Sequence, residues 1–188
     1  MAVSYATVDS TKMELTPMRV SFQGSGATAF TDLGGTLSNV VIDIKYPKAD
    51  IKADQMGSDT VLDRRVKGTV ITVTTEIAEV QDKDLWKVVF PHSTEAGTAP
   101  ADTIVFNSMV GDSDLANAGE LLLHPLSKAD SDLNYDFTAF LACGSAESQI
   151  TYGPDGQAKL KIVWNVLPDM STTPARFFMY GDRSLVSP

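Results

Sequence analysis

Residues 70–77 read VITVTTEI, a β-branched run in which Ile71, Val73 and Ile77 fall on one face and Thr72, Thr74 and Glu76 on the other. Two heavy atoms on Cβ crowd a helix and suit a pleated sheet, so the run constrains the fold more than any other stretch. With VKGT before it, the spacing predicts one long strand over 66–77. Residues 158–166 repeat the pattern, with Ala158, Leu160, Ile162, Trp164 and Val166 on one face. Just before them, YGPDGQ sets Pro154 and Asp155 at the centre of a type I turn, with Gly156 where a positive φ is wanted. ESQITYG and AKLKIVWNVLP therefore pair as a hairpin. Val40, Ile42, Ile44 and Tyr46 alternate with Asp43 and Lys45 as a half-buried strand over 40–46.

Further strand patterns occur in MRVSFQ (18–23), DTIVFN, ELLLHPL and LNYDFTAFLAC. Only VQDKDLWKVVF changes period: Val80, Leu85, Val88 and Val89 form a helical stripe, with Asp82 and Asp84 early and Pro91 as a stop. The predicted class is mainly β, an antiparallel sandwich or barrel of about seven or eight strands with one flanking helix near 81–90. The chain has 188 residues, which fits one domain. It divides into an arm over 1–17, a β-domain over 18–170 and a C-terminal segment over 171–188.

Charge narrows the function. With 24 acidic and 15 basic side chains the net charge is -9, opposed to binding DNA or RNA by phosphate neutralisation. The single cysteine, Cys143, rules out an internal disulfide framework, suits a reducing cytoplasm and reads as a small buried hydrophobe. The start carries no secretory signal pattern, and no run of about 18 apolar residues points to a membrane.

Chemistry has no visible carrier. GSGATA matches the dinucleotide fingerprint G-x-G-x-x-G/A at Gly24, Gly26 and Ala29, yet the Thr- and Gly-rich residues after it cannot supply the helix it needs, so it reads as a loop. His92 and His124 each stand without a neighbour at metal-ligand spacing and read as structural. GDSDLANAGE has Asp112 and Asp114 at i, i+2 but not the remaining ligands of a calcium loop, and reads as a solvated loop. The expectation is a non-enzyme with no cofactor and no metal.

What remains is the connection over 46–68, too long for a hairpin turn and not disordered in composition. Ile51, Met56, Val61 and Leu62 are interspersed with Asp54, Asp63, Arg64 and Arg65, a mixture suited to burial against a partner with charges setting register. Long loops without structure of their own are usually functional or disordered, and this one is expected to be functional.

The order of these features, TDLGGTLSNVVIDIKY, then ADQMGSDTVLDRRVKGTVITVTTEIAE, the helix, and ITYGPDGQAKLKIVWNVLPD, resembles the major tail tube proteins of long-tailed bacteriophages. The matching positions are Asp54, Gln55, Gly57, Leu62, Asp63, Arg65 and Gly68, then Glu76 and Glu79. Tyr152, Pro154, Asp155, Gly156, Leu167, Pro168 and Asp169 follow. The resemblance spans residues 32–170 and leaves out the N-terminal arm and GSGATA. It implies a tail-tube β-sandwich or barrel whose partners are copies of itself, as hexameric rings stacked into a tube, with other tail proteins at the tube ends. It also implies a virion location after assembly in the host cytoplasm, and duplex DNA transiting the lumen without specific binding. Asp54, Gln55, Met56, Gly57, Leu62, Asp63, Arg64 and Arg65 are then candidates for contact between rings.

An acidic or neutral lumen would keep DNA from sticking, which makes Asp43, Thr72, Thr74 and Glu76 lumen candidates, against which Lys45, Lys159 and Lys161 cut. The same face read without the resemblance is a solvated sheet surface. Two other functions stay open: a sandwich module binding carbohydrate or a protein surface, for which Phe177, Phe178 and Tyr180 are the candidate contacts, and a small dinucleotide-binding enzyme.

Overall fold

The computed structural model describes residues 16–57, 59–98, 102–108, 110–153 and 156–186, with the backbone alone at 54, 145 and 146. The arm before residue 16 and the turn residues Pro154 and Asp155 lie outside this set. Strands β1 (Met18–Gln23), β2 (Thr31–Asp32), β3 (Val41–Lys45), β6 (Val70–Ile77), β9 (Gly119–Pro125), β10 (Phe137–Gly153), β11 (Gly156–Val166) and β12 (Phe178–Tyr180) make one antiparallel sheet. Its order is β2-β1-β9-β10-β11-β6-β3, with β12 on β10. Two separate hairpins join β4 (Lys48–Lys52) to β5 (Val61–Val66) and β7 (Ser93–Ala96) to β8 (Thr103–Phe106). Helix α1 is Lys83–Val89 and the single turn α2 is Asp114–Asn117.

The main sheet closes on itself through residues 33–37. The Leu33 amide donates to the Val20 carbonyl on β1, while Thr36 bridges Ile77 and the Leu37 amide donates to Glu76 on β6. This accounts for DLGG in the sequence. Gly34 has φ +87°, and a Cβ there would come within 2.7 Å of the Glu79 carboxylate, whose Oε1 accepts from the Gly35 amide. Closure leaves no face of β1, β9, β10, β11 or β6 unmatched inside, and the alternation of the sequence turns into a core. Val20, Phe22, Ile71, Val73, Ile77, Leu121, Leu123, Leu160, Ile162 and Trp164 are buried together. Trp164 sits at the centre, 4.8 Å from the Phe22 ring, with its Nε1–H donating to Thr75 Oγ1 at 3.0 Å. Helix α1, capped by Asp82 accepting from the Asp84 amide, adds Leu85 and Val89 to the same core.

Five sequence expectations are revised. The strand predicted over 66–77 is two, ending as β5 at Val66 and resuming as β6 at Val70, because Lys67, Gly68 and Thr69 carry the chain from one sheet to another. The connection over 46–68 is no loop: β4 and β5 pair within it. Strand β3 is exposed at all five residues, not half-buried, since it extends the sheet past the closed barrel. LNYDFTAFLAC and ESQITYG are halves of one 17-residue strand, β10, with a register shift between Cys143 and Glu147. Residues 178–180 of the C-terminal segment belong to the main sheet, taking over the edge of β10 where β11 stops, with Phe178 stacked 5.0 Å from Phe137.

Candidate assembly surfaces

The β4–β5 hairpin grows from the end of β3 and pairs with nothing but itself. Its register sets Lys48 opposite Val66, Asp50 opposite Arg64 and Ile51 opposite Asp63, and the Lys67 amide closes its base on the Pro47 carbonyl. Charges therefore sit on both faces, and neither face is apolar enough to pack on the barrel. At the tip, residues 54–56 form a 3-10 turn and Gly57 takes φ +88°, followed by the Thr60 amide donating to the Gly57 carbonyl. Arg64 Nε meets Asp50 at 3.1 Å and Arg65 Nε lies 3.7 Å from Asp63. Tyr46, Met56, Leu62 and Val66 are each at least half exposed. Of the eight ring-contact candidates, Gln55, Met56, Gly57, Leu62, Asp63, Arg64 and Arg65 are all exposed on this one element; Asp54 is at its tip, its side chain outside the described set.

A second exposed surface adjoins the hairpin's root. Strand β3 is an edge of the sheet, with Val41, Ile42 and Ile44 open to solvent, and Leu37 and Val70 exposed nearby. A strand with unpaired amides and carbonyls beside apolar side chains invites pairing with another chain.

The four lumen candidates share a face. Asp43 lies opposite Thr72, which lies opposite Asn165; Val41, Thr74 and Val163 form the next row, and Glu76 is opposite Lys161. On β10 the row is extended by Glu147, Gln149 and Thr151. This is the outer side of the barrel wall, since the intervening Ile71, Val73 and Ile77 face the core. Two of the three lysines that cut against an acidic wall are paired there, Lys45 Nζ with Asp43 at 3.1 Å and Lys159 Nζ with Glu76 at 2.9 Å. The Lys159 hydrogen bond holds the Glu76 carboxyl below its usual range, with Lys161 adding to the effect.

The histidines have partners that sequence spacing could not reveal. His124 Nδ1 lies 2.6 Å from Asp136 Oδ1, both side chains 2% exposed, and register alone brings them together from β9 and the start of β10. His92 lies between Asp112 at 3.0 Å and Asn117 at 3.1 Å, which ties the short α2 to the end of α1 and explains the acidic run there. Among the described residues no group of three or more His, Cys, Asp or Glu could hold a metal, and no helix is long and apolar enough to cross a membrane. GSGATA is a turn leading to β2, with no helix after it. Cys143 is buried. Phe177 and Phe178 pack against the core, and only Tyr180 of that cluster is exposed.

Compared with known proteins, the chain matches no family model and no curated protein sequence.

Proposed function

We propose that this chain is the subunit of a self-assembling tube: copies associate into hexameric rings and the rings stack, as in the bacteriophage tail tubes its motif order resembles. In that setting it is a virion protein, its tube conducts duplex DNA, and other tail proteins sit at the tube ends. The observation that carries this reading is the β4–β5 hairpin, a folded arm with no apolar face turned to its own barrel. Fully burying a large apolar side chain is worth roughly 1.5–3 kcal/mol. With about half of each side chain still exposed, Tyr46, Met56, Leu62 and Val66 together offer roughly 4 kcal/mol per hairpin to a neighbouring copy. Repeated around a ring, that is enough to offset the ordering of the arm and the loss of rotational freedom. The open edge of β3 supports the same reading, because pairing edges around a ring removes the aggregation hazard of an exposed strand.

A carbohydrate-binding module would present aromatic rings on a loop, whereas Phe177 and Phe178 serve the core. The test is a pair of substitutions at the hairpin, Leu62→Asp with Val66→Asp, followed by sedimentation velocity at rising concentration. Wild-type protein is expected to associate and the variant to stay monomeric with an unchanged circular dichroism spectrum. Equal association of both proteins would refute the role given to the hairpin.

A further inference from the structure

The wall formed by β3, β6, β11 and β10 is at odds with the rest of the chain. The whole protein carries -9, yet this face balances Asp43, Glu76 and Glu147 against Lys45, Lys159 and Lys161. Three lysines on a flat sheet surface are a ready contact for phosphates, each one engaged adding about 0.9 to the salt slope of duplex binding. Their placement prevents this. Asp43 binds Lys45 two residues along the same strand, and Glu76 reaches Lys159 while lying directly opposite Lys161. The Glu76 side chain is 19% exposed and that of Lys159 38%, so this pair is partly withdrawn from water, where screening is weaker. A carboxylate held about 3 Å from an ammonium replaces a point charge by a dipole, whose field falls off more steeply than that of a lone lysine.

We infer that this face is a charge-cancelled wall, on which Asp43 and Glu76 keep Lys45, Lys159 and Lys161 from binding the phosphates of a passing duplex. The inference rests on the tube reading and assigns these two carboxylates a task within it: letting a polyanion slide where lysines would hold it. A wholly acidic wall would repel DNA, while a balanced one neither repels nor retains it.

The test is assembly in the presence of a fluorescent 30-base-pair duplex at about 50 mM salt, with pelleting, nuclease digestion of outside DNA and electron microscopy of the pellet. Wild-type tubes are expected to retain little DNA. Tubes of Asp43→Asn with Glu76→Gln, which keep side-chain shape, are expected to retain at least about tenfold more, lost again as salt is raised. Adding Lys45→Gln and Lys159→Gln should return retention to the wild-type level. Tubes that form normally but retain equally little DNA in the doubly substituted protein would overturn the wall while leaving the tube intact. Tight retention by wild-type tubes would do the same. If wild-type protein forms no tube, both the inference and the reading beneath it fall.

Discussion

Replacing Thr75 by valine removes one oxygen from the centre of the barrel and hardly changes the volume. The side chain is fully buried, and its Oγ1 accepts the Trp164 indole N–H at 3.0 Å. After Thr75→Val that N–H stays buried with its acceptor gone, a penalty of about 1–3 kcal/mol. At about 2 kcal/mol, and about 2–4 °C per kcal/mol for a domain of this size, Tm should fall by roughly 4–8 °C. Thr138 is an internal control: it too is fully buried, but its Oγ1 has no hydrogen-bond partner among the described residues. Thr138→Val relieves a desolvated hydroxyl, so it should be neutral or stabilising by up to about 1 kcal/mol. Urea unfolding of both variants, with Trp164→Phe and the Thr75→Val/Trp164→Phe pair, completes the assay. Once the indole N–H is gone, valine at 75 should add little, giving a coupling of about 1–2 kcal/mol. Equal effects of the two threonine substitutions, or strict additivity with Trp164→Phe, would refute the reasoning.

Gly119→Ala should destabilise by at least about 2 kcal/mol in urea unfolding, because a Cβ there would overlap the Gln23 carbonyl and lie 2.8 Å from Phe22 Cζ in the β1–β9 pairing. Asp169 accepts from Ser171 and binds Arg176 at 2.7 Å, and these bonds hold its carboxyl down at about 2. A depressed carboxylate stabilises the fold fully above its unfolded value near 4 and loses that contribution as pH falls toward 2. Wild-type Tm should therefore drop more steeply than that of Asp169→Asn between pH 4 and 2, and parallel curves would contradict the assignment. Replacing Asp63, Arg64 and Arg65 together by alanine should leave thermal stability within about 1 kcal/mol, since their ion pairs are exposed. The same change should shorten tubes seen by electron microscopy, and tubes of normal length would remove these residues from the contact.

Legibility followed burial. In β6 and β11 one face meets the core and the other meets water, so period two was written in the residue types and the mainly β, antiparallel class could be read directly. The YGPDGQ turn and the Asp82-capped helix were equally local. Strand β5 was missed because LDRRV alternates with nothing: its hairpin has no buried face in the subunit, so no hydrophobic pattern marks it. Strand β3 carries the pattern of a buried strand and yet is exposed, which fits a surface covered only in an assembly. The pairing of His124 with Asp136, and the placement of Glu76 beside both Lys159 and Lys161, depend on register between strands distant in sequence or separated by a long turn. No spacing rule along the chain encodes that. The face shared by Asp43, Thr72, Thr74 and Glu76 was legible within each strand, but its balance of charge appeared only with the partners across the sheet.

Electron microscopy of the purified wild-type protein at high concentration tests the central claim most directly. Stacked rings forming a hollow tube are expected, and in an averaged reconstruction the β4–β5 hairpin should lie against a neighbouring copy. A protein that remains monodisperse and monomeric at every concentration, with neither rings nor tubes, would contradict it.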